Sequence, residues 1–75
     1  MLPLRVRFGR AVRRMRSRQG YSQEAFAARI GVHRTFIGSV ERGETNISLA
    51  NIARVAKGLG VTLAELFIEV ERESR

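Results

Sequence analysis

The residues from Gln23 to Arg42 read QEAFAARIGVHRTFIGSVER, and the rest of the chain is understood from this run outward. Two helices that cross steeply through a tight turn need a small residue where they approach. They need a turn residue that tolerates positive φ, and apolar groups on both inner faces. Ala27 occupies the first position and Gly31 the second. Phe26 and Ile30 face inward from the first helix, Val32 from the turn, and Ile37 and Val40 from the second. Any one match is weak, but their combination specifies two helices braced against each other.

With Ile37 and Val40 turned inward, the second helix presents Arg34, Thr35, Gly38, Ser39 and Arg42 outward. This face is polar and contains no acid, whereas an ordinary solvated helix mixes in Glu or Asp. A helix of this kind can enter a major groove without repelling phosphates. Gly38 is unusual in mid-helix, where it costs about 1 kcal/mol relative to Ala. Close approach of a DNA backbone or base would account for it.

The flanking sequence reads as further helices, divided by Gly20, Gly31, Gly43, Gly58 and Gly60. The first runs from about Leu4 to Gln19 behind Pro3, with Leu4, Phe8, Val12 and Met15 on one stripe. Ser22 caps the second, which reaches Ile30, and the third spans about Arg34 to Arg42. Ser48 caps the fourth, ending at Lys57 or Gly58. Thr62-Leu63-Ala64-Glu65 is a capping box that opens the fifth, which covers about 62–71. No stretch alternates as a strand does. The expected fold is a compact, all-α, five-helix domain over residues 1–75. Leu63, Leu66 and Phe67 are expected to fill the core. The apolar surplus, taken as Val55, Leu66, Ile68 and Val70, is assigned to a self-complementary dimer patch.

Composition limits the function. A chain of 75 residues buries only about 60% of its unfolded surface, so support from a second subunit is natural. There is no Cys and no Asp, and His33 is the one histidine, so neither disulfides nor a metal site is expected. No acid–base pair is visible, so neither an enzyme nor a cofactor is expected. Fourteen Lys and Arg against seven acids give a net charge of +7, a surface that attracts polyanions. Lys57 is the single lysine. Arg suits bidentate phosphate and guanine contacts, although codon bias explains the ratio equally well. No apolar run approaches the roughly 20 residues that span a bilayer. The segment from Met1 to Gly20 is Arg-rich and lacks acids, as transit peptides and membrane-surface peptides do, but the fold needs it as a helix. A cytoplasmic location is expected.

The chain resembles the Cro/C1-type (XRE) helix-turn-helix regulators over roughly Phe8 to Phe67. Within that family, the run from His33 to Gly43, followed by Asn46-Ile47-Ser48, is similar to restriction–modification controller proteins. Gly58-Leu59-Gly60-Val61 and Leu66-Phe67 fit the family's closing helices. The resemblance implies a lambda-repressor-like fold, and a homodimer reading a palindromic operator on duplex DNA with its recognition helices about 34 Å apart. Such a protein blocks or recruits RNA polymerase by occupancy and controls its own gene.

On this reading Arg34 makes a bidentate contact to guanine, with phosphate as the alternative. Thr35 and Ser39 contact bases. Phe36 either meets a thymine methyl or packs beside the preceding helix. Gln23 clamps a phosphate, and Arg42 and Asn46, which flank the recognition helix, make further phosphate contacts. His33 stands where Ser, Thr or Asp usually caps the recognition helix. It is a poorer cap, and is assigned to phosphate when protonated. Controller proteins often carry a basic residue near Thr45, where this chain has Glu44-Thr45. Arg16 and Glu41 are expected to pair as a structural bridge. Arg10, Arg13 and Arg14 either brush phosphates or only raise the field that steers DNA inward, with solvated charge assigned to most of them. Two other classes fit the same fold: an antitoxin, for which little chain is spare, and a protein-interaction module that does not read DNA.

Overall fold

The structure, a computed structural model, describes residues 1–73. They form α1 (Leu4–Arg18), α2 (Gln23–Ile30), α3 (Arg34–Glu41), α4 (Leu49–Leu59) and α5 (Leu63–Arg72). The helix starts follow local rules. The Ser22 hydroxyl accepts the Ala25 N–H at 3.0 Å, and Ser48 accepts that of Asn51 at 3.1 Å. At α5 the Glu65 N–H donates to Thr62 at 3.0 Å while the Glu65 carboxylate accepts the Thr62 N–H at 2.8 Å, so two exposed donors are satisfied reciprocally. Gly31 ends α2 in the left-handed region at φ 76°, where any side chain would be strained. The Val32 N–H then returns to the Ala27 carbonyl at 3.0 Å, which closes the turn into α3.

The helices enclose one apolar cluster. Phe26, Ile37, Leu66, Val12, Val40, Val55 and Val70 are its largest fully buried side chains. α3 lies against both α1 and α2; α5 packs on α1 and α4, and α4 on α2. Two glycines permit these approaches. A Cβ on Gly9 of α1 would strike the Val40 and Glu41 carbonyls of α3. A Cβ on Gly58 of α4 would strike Ile30 and come 3.2 Å from the Phe26 ring. α3 is therefore held from behind by backbone-close contact, leaving its opposite side to solvent.

The apolar assignments need correction. Val55, Leu66 and Val70 are buried to within 1% of complete, so they belong to the core and cannot form a dimer surface. The reason is that α5, which carries Leu66 and Val70, packs against both α1 and α4, while α4, which carries Val55, packs against α2, α5 and α1. Leu4 and Leu63, expected inside, are exposed, because each sits in the first turn of its helix beyond the edge of the cluster. Ile68 is exposed as expected, in a shallow depression with Met15, Arg18, Val61, Glu65 and Glu69. Among the described residues no helix is long and apolar enough to cross a membrane.

Candidate nucleic-acid interface

The anchor of the site lies beneath α3. Arg16 of α1 reaches Glu41, the last residue of α3, through Nε to Oε2 at 2.6 Å and Nη2 to Oε1 at 3.0 Å. Its remaining Nη1 donates to the Tyr21 carbonyl at 2.6 Å. Both charged side chains are almost wholly buried, and each nitrogen of that guanidinium has a partner. Gln23 joins from the first turn of α2, its Nε2 donating to Glu41 Oε1 at 2.9 Å. Three helices thus converge on one carboxylate, which fixes the position of α3 relative to α1 and α2.

The outer side of α3 presents Arg34 and Thr35 to solvent, with Phe36 and Ser39 half-buried. Phe36 packs against the core cluster. Gly38 is buried beneath Arg42, whose Nη1 would lie 3.0 Å from a Cβ placed there. Ser39 turns its hydroxyl to that of Thr45 in the loop after α3, so the two are bonded to each other. Gln23 remains exposed at the edge of α3 although its amide is tied inward. Asn46 is exposed beside Thr45 and Ile47, on the rim of an apolar groove.

His33 caps α3. Its Nδ1 accepts the Thr35 N–H at 3.1 Å and lies 2.8 Å from the Thr35 hydroxyl. In the tautomer that accepts at Nδ1, the ring proton sits on Nε2. The ring thus caps α3 through Nδ1, a role expected to be poorer from His than from Ser, Thr or Asp. The Thr35 hydroxyl lies exposed beside this ring nitrogen.

Sequence alone did not show the acids beside this face. α3 itself exposes none, because Glu41 turns inward. Arg34, however, pairs with Glu24 of α2 at 3.3 Å, and Arg42 with Glu44 of the following loop at 3.1 Å. Arg14, assigned to solvated charge, is instead bound to α5 through Glu69 at 3.0 Å and to Glu73 just beyond it. The Arg14 hydrogen bond, opposed by desolvation and assisted by the charges of Arg72, Arg14 and Arg18, holds the Glu69 carboxyl below the usual glutamate range.

The family model described as helix-turn-helix matches residues 12–66. The control protein C.MunI of Mycoplasma sp is 42% identical over 74 residues, which is 97% of this chain and 100% of the relative. The restriction–modification controller protein C.AhdI from Aeromonas hydrophila has a solved structure with TM-score 0.81 and 43% identity, covering 84% of this chain and 91% of its own. The controller C.Esp1396I, solved as a tetramer in complex with its natural 35 base-pair operator, gives TM-score 0.88 at 25% identity over 97% of this chain and 96% of that one.

Proposed function

The chain belongs to the helix-turn-helix family of DNA-binding regulators, and from that membership we propose that it is a controller protein, a homodimer that reads a palindromic operator through α3. The observation that carries the reading is the fit of this fold to a controller solved on its operator, together with an α3 whose outward side exposes Arg34 and Thr35 beside its cap His33. Arg34 reads guanine, Thr35 accepts from a base edge, and Gln23, His33, Arg42 and Asn46 meet phosphates. Phe36 and Ser39 contribute the remaining base contacts, which for Ser39 requires its hydroxyl to turn away from Thr45. Occupancy beside a promoter in the cytoplasm then blocks or recruits RNA polymerase, and the operator of its own gene is the natural target.

The partner subunit is best placed on the groove lined by Pro3, Leu4, Phe8, Ile47, Ile52 and Phe67, whose volume is ≈ 490 Å³. Leu4 is 58% exposed at its rim and Leu49 76% exposed at the start of α4, where a second copy would cover both. The loop after α3 supplies Thr45, Asn46 and Ile47 to this groove. Leu49→Glu should give a monomer in sedimentation at tens of micromolar with an unchanged helical spectrum. A dimer that survives this change places the interface elsewhere.

Selection of binding sites from random duplex at fixed salt tests the whole reading. The expected result is two inverted half-sites about 10 base pairs apart, bound at least about 10³-fold more tightly than random duplex. Equal affinity for selected and random DNA would refute it.

A further inference from the structure

The ion pair between Arg34 and Glu24 joins the first turn of α3 to the first turn of α2, with side chains 66% and 75% exposed. A pair this exposed adds little to stability. Its geometry is more informative. Only Nη1 of Arg34 meets the carboxylate, and Nε and Nη2 have no partner among the described residues. Guanine is read through two parallel donors to O6 and N7, and the Nε–Nη2 edge supplies such a pair. Arg34 can therefore engage guanine while Glu24 stays in place and fixes the orientation of the guanidinium. A phosphate approaching Arg34 meets a different situation, because it brings a second anion beside the Glu24 carboxylate.

We propose that Glu24 is a specificity-determining residue, which positions Arg34 for guanine and penalises its use on phosphate. The proposal rests on the assignment of α3 as the DNA-reading helix. Arg42 provides an internal contrast. It is assigned to phosphate alone, and its Nε is held by Glu44. Loss of Glu44 should strengthen binding to any duplex equally, whereas loss of Glu24 should change the ratio between cognate and random DNA.

The experiment measures Kd of the full chain for the selected site and for random duplex at several salt concentrations. The variants are Glu24→Gln, Glu44→Gln, Arg34→Ala and the double variant Arg34→Ala with Glu24→Gln. Glu24→Gln should bind random duplex about fivefold more tightly and leave the selected site within about twofold. Its log–log salt slope on random duplex should steepen by about 0.9, as expected when one further phosphate is neutralised. Glu44→Gln should shift both affinities alike. With Arg34 absent, Glu24→Gln should no longer alter the ratio. Glu24 also favours the start of α2 by its charge, so Glu24→Asp is included. It keeps that charge but shortens the reach to Arg34, and should bind random duplex with an affinity between those of wild type and Glu24→Gln. Three results overturn the proposal: a Glu24→Gln effect equal on both duplexes, a ratio change that persists without Arg34, or a Glu24→Asp protein that matches wild type. A wild-type chain that does not distinguish selected from random duplex overturns the assignment of α3 itself, and this proposal with it.

Discussion

Gly9 of α1 lies directly against the main chain of Val40 in α3. A methyl group there would come 2.8 Å from the Glu41 carbonyl oxygen and closer still to that of Val40. The obstructing atoms are backbone in a helix that Arg16 also anchors, so they cannot turn aside as a side-chain end would. Gly9→Ala should therefore destabilise the fold by about 2–3 kcal/mol, even though Ala is the better helix former. A urea midpoint that drops with unchanged slope checks this. A more stable variant would show that α1 and α3 can separate freely.

The Arg16–Glu41 bridge gives a second test. Removing one partner strands a buried charge, which costs about 3–5 kcal/mol and approaches the full stability of a chain this small. Arg16→Met and Glu41→Leu should each unfold much of the protein at room temperature. Their combination should recover much of the loss, since two apolar groups leave no buried charge unpaired, and only the Tyr21 carbonyl and the Gln23 amide lose a partner. DNA binding by the refolded double variant should still be weaker than wild type, because Gln23 loses the carboxylate that holds its amide. Additive losses in the double variant would deny the coupling.

Gly38 should behave in the opposite way to Gly9. The atoms nearest a new Cβ are ends of flexible side chains, Arg42 Nη1 at 3.0 Å and Gln23 Oε1 at 3.7 Å. Gly38→Ala should raise Tm by roughly 3–6 °C from helix propensity alone. It should also weaken binding to selected and random duplex alike, since the displaced Arg42 is a proposed phosphate contact. A variant that melts lower, or binds DNA more tightly, would contradict this account of the site.

These contrasts show which features a sequence can reveal. Ser22, Ser48 and Thr62 cap helices through contacts three residues long, and Gly31 closes a turn by its own φ, so the helix limits were legible within one or two residues. Counting apolar stripes could not say that α4 and α5 each touch more than one helix, so Val55, Leu66 and Val70 were placed on a surface they never reach. Gly9 and Gly38 look alike in sequence, each a helical glycine at a propensity cost, and only the crossing of α1 and α3 separates them. The Arg34–Glu24 pair spans ten residues and two helices, and depends on the interhelical angle, which no local pattern encodes.

Acid should loosen α5 from α1 through Glu69. Arg14 donates to the Glu69 carboxylate at 3.0 Å and to its main-chain oxygen at 3.3 Å, and Arg72 adds a pair at 3.1 Å. These contacts favour the ionised carboxyl, chiefly through the Arg14 hydrogen bond, and hold it below the ordinary value of 4.5. A carboxyl depressed in the folded state binds fewer protons there than in the unfolded chain. Its stabilisation is therefore complete above about pH 4.5 and is lost as pH falls through the lower, folded value. Glu69→Gln should be less stable than wild type at neutral pH and should approach it as the solution is acidified. Urea midpoints measured for both proteins between about pH 7 and pH 3 should therefore converge at the acid end. A gap of constant width would mean that Glu69 contributes through packing alone, with no charge-dependent hold from Arg14 through this carboxylate.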